Sequence, residues 1–229
     1  MSVKYLMTTS MGNDSLALAQ YMLQNHWGEF AAVYNDTGWA RDDWAFRVKD
    51  FSGWCFTNGI PFYITKSEGM ESLVRRKKGW PMQASKMQFC TSELKEKPTI
   101  ELLDKIDPDG YLIIVTGRRR EESQNRASLS AWQYDSVKHG GRDVFNPLVA
   151  YNEQQRDHLL SDYGVKPLPH QSMECYPCVC ANKQDLKQMA HDEGRISKIE
   201  SIEISMGHTR NEKPRTMFRP YRVGGGCRN

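Results

Sequence analysis

Short apolar runs separated by stretches of helical periodicity are the strongest constraint on what this chain can become. Val3–Thr8 reads as a strand, Thr9–Asp14 as a small polar loop, and Ser15–Asn25 as a helix with Leu16, Ala19, Met22 and Leu23 on one face. Phe30–Tyr34 is apolar throughout, as expected of a strand buried on both faces. Arg41–Thr57 has the pattern of a long amphipathic helix and Pro61–Ile64 that of a third strand. Tyr111–Thr116 is the clearest strand, a β-branched and apolar run ending at Gly117. Strands alternating with helices predict an α/β fold, a parallel twisted sheet with helices on both faces. Such sheets bind ligands beyond the carboxyl ends of their strands.

Beyond Arg126 the pattern changes. Ser128–Asn146 has no clean period and fits either an irregular insertion or a short hairpin. Glu153–Asp162, Lys183–His191 and Arg195–Met206 read as helices, and Tyr163–Tyr176 as a loop. The expected organisation is an α/β domain over 1–150. A small, mostly helical C-terminal extension over 151–229 follows, carrying a cysteine cluster and a basic tail. With 31 basic and 28 acidic residues in 229, charge alone demands no nucleic-acid partner. No run is apolar and long enough to span a membrane, and the start lacks the regions of a signal peptide, so a cytoplasmic location is expected.

The loop Ser10-Met11-Gly12-Asn13-Asp14-Ser15 lies between strand and helix, where backbone N–H groups and the helix dipole favour an anion. Gly12 admits close approach, Ser10 and Ser15 offer hydroxyls, and Asp14 is placed to cap the helix or hold a metal ion. A simple N-cap by Asp14 or Ser15 accounts for the same residues. Of six cysteines, Cys175, Cys178 and Cys180 cluster, and the first two have the spacing at which two thiolates reach one metal or cluster. Without an export signal, a metal site, redox chemistry or free thiols are preferred to disulfides. Cys55 falls inside an amphipathic helix and is expected in the core. Cys227, after Gly224–Gly226, is read as part of a frayed end rather than as a nucleophile on a hinged tail.

Five segments in order resemble the PAPS-reductase family of the ATP-pyrophosphatase (PP-loop) superfamily, near its DNA-phosphorothioation-type and phage-type members. The first loop is similar to that family's SGGxDS, with Met11 for the first Gly. Asn35-Asp36-Thr37-Gly38 resembles its DTG motif. Cys90 to Pro98, with Lys95, resembles its cysteine–lysine–proline segment. Gly117 to Arg126 resembles GxRxxES…R, and Cys175-Tyr176-Pro177-Cys178 its late CxxC. The resemblance implies an adenine-nucleotide site made by Ser10, Gly12, Asn13, Asp14, Ser15, Asp36, Thr37, Gly38 and Gly117. Lys95, Arg118 and Arg126 would meet anionic groups, with Glu122 or Ser123 positioning the arginines.

It also implies a metal centre at Cys90, Cys175, Cys178 and Cys180, where a [4Fe–4S] cluster is ranked ahead of zinc. Phe89 stands where iron–sulfur members carry another cysteine, so either Cys180 supplies a fourth ligand or three thiolates leave one iron open. Retention of Asp14-Ser15 favours ATP, with Mg2+, over PAPS or APS. The implied enzyme activates a substrate with ATP in an AMP-forming step coupled to sulfur transfer. Its partners would be a nucleic-acid or small-molecule sulfur acceptor and a thiol or sulfur-donor protein. The alternatives are a PAPS or APS reductase, and a non-catalytic nucleotide or nucleic-acid binding module using Arg210, Lys213, Arg215, Arg219, Arg222 and Arg228.

Overall fold

The computed structural model describes residues 3–25, 27–81, 88–206 and Met217. Six strands, β1 Tyr5–Thr9, β2 Phe30–Asp36, β3 Phe62–Lys66, β4 Ile113–Val115, β5 Trp132–Ser136 and β6 Arg142–Phe145, form one sheet in the order β3-β2-β1-β4-β6-β5. All neighbours are parallel except β5, which runs antiparallel to β6 at the edge. The principal helices are α1 Asn13–Gln24, α2 Trp44–Thr57, α3 Met70–Arg76, α5 Lys97–Ile106, α6 Glu153–Tyr163, α7 Lys183–Met189 and α8 Glu193–Ser205. A short α4, Phe89–Thr91, and a π-helical turn, Ser92–Glu96, lead into α5. This is the expected α/β class with a helical C-terminal part, and Ser128–Asn146 resolves as a hairpin.

Alternation along the central strands divides the core in two. Leu6, Ala31, Val33, Ile114 and Val144 face one side with Leu103 of α5. Met7, Ala32, Tyr34 and Val115 face the other, with Leu16 and Ala19 of α1, Phe51 and Cys55 of α2, and Leu159 and Leu160 of α6. Side chains that alternate across a strand produce two cores only when both faces are covered. Cys55 is a core residue, as its helical position implies.

Several boundaries differ from the expected ones, each for a local reason. β2 runs on to Asp36, because Asn35 and Asp36 keep pairing with Thr65 and Lys66 of β3. α2 begins at Trp44 rather than Arg41, whose guanidinium is folded onto Asp43 at 2.6 and 2.8 Å. β4 is shorter than Tyr111–Thr116, because the backbone N–H groups of Tyr111 and Leu112 donate to the Asp107 carboxylate at 2.9 and 3.0 Å. Cys227, Gly224–Gly226 and the tail cations Arg210, Lys213, Arg215, Arg219, Arg222 and Arg228 lie outside the described residues. Among those described, no helix is long and apolar enough to cross a membrane.

The same Asp107 ties α5 to the hairpin. Arg142, 4% exposed, donates from Nε to Asp107 Oδ2 at 2.7 Å and from Nη2 to the Asp107 carbonyl at 2.5 Å. Burial pulls the Asp107 pKa up, but Arg142 and the two backbone donors outweigh it and hold the pKa below the usual carboxylate range. Asp107→Ala would strand a buried guanidinium and should cost about 3–5 kcal/mol in chemical denaturation. Because the folded pKa is depressed, this pair stabilises fully above the unfolded carboxylate pKa of about 4 and loses its contribution as pH falls through the lower folded value. Wild type should therefore lose stability below that pH more steeply than Asp107→Asn does.

Candidate active site

The β1–α1 loop has the architecture of an anion cradle. Gly12 is the N-cap of α1 and no side chain caps the helix start, so the simple N-cap role for Asp14 or Ser15 is not what forms. The first-turn N–H groups are thus left for another acceptor. Ser10 and Ser15 bring their hydroxyls to 3.2 Å of each other, and the Ser10 N–H donates to Ser15 Oγ at 3.1 Å. Met11 takes φ 54°, the left-handed conformation favoured by glycine, and its side chain is fully buried, which offsets the backbone strain. Asn13 is used differently from the expected phosphate contact. Its amide donates to the Leu168 carbonyl at 3.0 Å and accepts from the Leu168 N–H at 2.9 Å.

Gly12 and Gly117 are small for steric reasons that the structure makes plain. A Cβ on Gly12 would sit 3.0 Å from Ser172 Cβ, and one on Gly117 would sit 2.7 Å from the Asp14 carbonyl oxygen. The end of β4 is therefore packed directly on the first turn of α1. Two residues on, Arg119 is buried and its Nε lies 2.5 Å from Asp14 Oδ1, with Glu121 at 3.1 Å and the Tyr151 carbonyl at 3.3 Å from Nη1. Glu122 accepts from the Arg119 N–H at 2.7 Å and ion-pairs with Arg126. Arg118 differs from both. It is half-buried, and among the described residues neither a hydrogen bond nor an ion pair engages it. Burial and the adjacent Arg126 depress its pKa.

At the end of β2, Asp36 Oδ1 accepts from the Gly38 N–H at 2.9 Å, and Gly38 at φ 61° turns the chain beneath Gly69. Thr37 is committed to structure. Its hydroxyl donates to the Glu174 carbonyl at 2.9 Å, and the Cys175 thiol donates back to it at 3.4 Å. Glu174 ion-pairs with Lys95 of the π-helical turn. Burial pulls the Lys95 pKa down, but Glu174 and Cys175 more than compensate and keep it a firm cation.

The thiols gather at the same edge. Cys180 N–H donates to Cys178 Sγ at 3.4 Å, Gln88 Nε2 reaches Cys180 Sγ at 3.4 Å, and Cys90 lies within electrostatic reach of Cys178 and Cys180. The Cys178–Cys180 hydrogen bond lowers the Cys180 thiol to about 7 and raises Cys178, while burial pushes Cys175 up to about 12. Among the described residues, no three His, Cys, Asp or Glu side chains stand together so as to hold a metal ion. The four thiols are brought to one rim, with Cys175 turned to Thr37.

The sequence motifs thus meet at the carboxyl edge of the sheet. Three contributors carried no motif signal: Glu174, which holds Lys95; Ser172, which seats on Gly12 and donates to the Ser10 carbonyl at 3.1 Å; and His139, which lies near Arg118. Burial, then Arg118 and Lys138, lower His139 to about 4, so its imidazole is neutral near pH 7. Gly117→Ala is expected to cost about 1–3 kcal/mol, because backbone rather than a flexible side chain must move. An unchanged midpoint in thermal and denaturant melts would show that the β4 end does not pack on α1 as described.

Comparison with known proteins agrees with this geometry. The phosphoadenosine phosphosulfate reductase domain matches residues 4–178. A relative from Escherichia phage 186, the uncharacterized 37.8 kDa protein in the gpa 5′ region, is 30% identical over 116 residues, 46% of this chain and 34% of its own. The chain thus spans about a third of the length of that curated relative. Among solved structures, the PAPS reductase of Candida auris in its phosphate complex is 17% identical with a TM-score of 0.50, covering 72% of this chain and 74% of that one. The U34-tRNA thiolase NcsA of Methanococcus maripaludis, with its [4Fe-4S] cluster, is 15% identical with a TM-score of 0.51, covering 91% and 74%. At such identities the two structures speak for the fold, and both are enzymes. The motifs, their meeting at one sheet edge and the domain match over most of the chain lead to one conclusion: this chain belongs to the phosphoadenosine phosphosulfate reductase domain family of enzymes.

Proposed function

We propose that the chain binds ATP at the β1–α1 loop and uses it to activate a substrate for sulfur transfer. The observation that carries this is Arg118, a partly desolvated cation that makes neither a hydrogen bond nor an ion pair among the described residues, at the end of β4 beside an uncapped helix start. A guanidinium in that state gains most from an incoming oxyanion. Ser10, Ser15 and the first-turn N–H groups would take the phosphates. Asp14 would otherwise repel them, and its pairing with Arg119 removes that penalty. Asp36, with Gly38, would face the nucleoside side of the cleft. A nucleophilic oxygen or carbon-bound group of the acceptor would attack the α-phosphorus and expel pyrophosphate. The outer sulfur of a donor persulfide would then attack the activated carbon and expel AMP, and a second donor thiol would break the remaining S–S bond, leaving the sulfur on the acceptor and a disulfide on the donor, with Lys95 and Arg126 close to the anionic groups that develop.

A cysteine-bound [4Fe–4S] cluster is the finer part of this proposal, supported by the donor set Cys90, Cys175, Cys178 and Cys180 and by the cluster named for the matched tRNA thiolase. Closing it requires Cys175 to leave Thr37.

Calorimetry should find ATP bound in preference to PAPS. Ser15→Ala and Arg118→Gln should each weaken ATP roughly tenfold or more, the worth of a charge-assisted hydrogen bond of about 1.5–3 kcal/mol. A clear preference for PAPS would instead make the chain a sulfonucleotide reductase. Protein purified without oxygen should carry iron and acid-labile sulfide, and Cys90→Ser should lose both. Zinc, or no metal, would remove the cluster and leave the nucleotide chemistry standing.

A further inference from the structure

Helix α2 sends two side chains to the β1–α1 loop, and the function proposed above uses neither. Trp44 is buried at the start of α2 and donates from Nε1 to the Ser10 carbonyl at 3.2 Å. Three residues on, Arg47 donates from Nε to the Met11 carbonyl at 3.1 Å. Residues three apart share a helix face, and here the Arg47 guanidinium lies over the Trp44 ring, 5.3 Å from its centroid. Ser172 adds a second donor to the Ser10 carbonyl, its Oγ at 3.1 Å. Two consecutive carbonyls of the loop are therefore drawn onto other elements.

The direction of those carbonyls sets what the loop can offer a ligand. In a trans peptide the C=O and N–H point opposite ways, so holding the Met11 carbonyl on Arg47 turns the Gly12 N–H to the other side of the loop. There it meets the Ser10 hydroxyl at 3.4 Å, one of the two hydroxyls paired at the helix start. A carbonyl turned the other way would put a negative pole where an anion has to sit. Met11, between the two peptides, is at φ 54°, a conformation that a side chain disfavours. Arg47 is itself held at a cost. Its Nη2 is sealed from solvent with no hydrogen-bond partner, it forms no ion pair among the described residues, and Asp43 and Asp50 act on it only at a distance. A guanidinium kept in that state adds little to stability, and its one hydrogen bond among the described residues goes to the Met11 carbonyl.

We propose that Arg47 is a positioning residue of the phosphate site: with Trp44 it clamps the Ser10 and Met11 carbonyls away from the cleft and so presents the Gly12 N–H to a bound phosphate. This rests on the function proposed above, and it assigns the device that keeps Met11 left-handed where a glycine would turn freely. The test is calorimetry of the full chain with ATP and with inorganic pyrophosphate, alongside thermal melts. Arg47→Met keeps the apolar stem over Trp44 and should weaken both ligands roughly tenfold. Its melting midpoint should hold or rise, because a buried donor without a partner has been removed. Arg47→Lys keeps a cationic donor and should retain most of the affinity. In a Met11→Gly background the left-handed turn carries no strain, so Arg47→Met should cost less there, roughly threefold. Intact affinity for both ligands in Arg47→Met overturns the clamp, and so does an equal loss in the wild-type and Met11→Gly backgrounds. Should Arg47→Met not fold, Trp44→Phe gives the second reading: it removes one of two donors to the Ser10 carbonyl and should weaken both ligands roughly threefold, and no loss overturns the clamp. Wild type that binds pyrophosphate but prefers PAPS to ATP overturns the ATP assignment, and the clamp is then judged on pyrophosphate. Wild type that binds neither ATP nor pyrophosphate overturns both.

Discussion

Everything at the carboxyl edge depends on one strap of chain, Leu168 to Cys178, laid back over the strand ends. It is tied at Asn13 by paired hydrogen bonds to Leu168, at Ser10 by the Ser172 hydroxyl, at Thr37 by the Glu174 carbonyl, and at Trp39 by the Tyr176 N–H at 2.7 Å. The Lys95–Glu174 ion pair then fixes the π-helical turn to the same strap. Each bond alone contributes about 1 kcal/mol. Acting on one segment, they determine where the late cysteines can stand. A strap held this way also explains why a side chain at Gly12 would be crowded, since its Cβ would lie 3.0 Å from Ser172 Cβ.

The strap divides the motif residues into two kinds. Asn13 and Thr37 match nucleotide motifs by position, yet their side chains are spent on the strap. The side chains of Ser10, Ser15 and Asp36 bond only within their own loops, and Arg118 makes neither a hydrogen bond nor an ion pair among the described residues. A motif match therefore identifies the segment that builds the site without separating the residues that would touch a ligand from those that hold the loop.

Periodicity made the sheet legible because the central strands are buried on both faces and carry little else. Phe30–Tyr34 and the β1 run needed no tertiary information. Boundaries were missed where a side chain captured backbone donors, as Asp107 does with Tyr111 and Leu112. The ends of Ser128–Asn146 were illegible for a related reason: a bulged edge hairpin lacks strict alternation. At the site, ordered motifs pointed to the right segments. Glu174 and Ser172 could not be found that way, because their importance comes from what lies opposite them after folding.

Arg118 and Arg119 show how much neighbouring residues of one type can differ. A run of three arginines after a strand looks like a solvated charge cluster, and Arg118 is the member whose family position marks it. In the folded chain Arg119 is the buried one, locked to Asp14 and Glu121, and it serves the loop by neutralising an acid at the helix start. Its removal would leave Asp14 facing the same N–H groups that an anion needs, so it acts on a ligand without touching it. Arg118 has the opposite balance: partial burial and a second cation nearby, which Glu122 and Glu96 act against only at a distance, with no ion pair among the described residues. The fold compensates one guanidinium through direct ion pairs and leaves its neighbour only partly compensated at the sheet edge. A desolvated, unpaired charge is costly to maintain in a marginally stable protein, and it is tolerated where a ligand supplies the missing counter-charge.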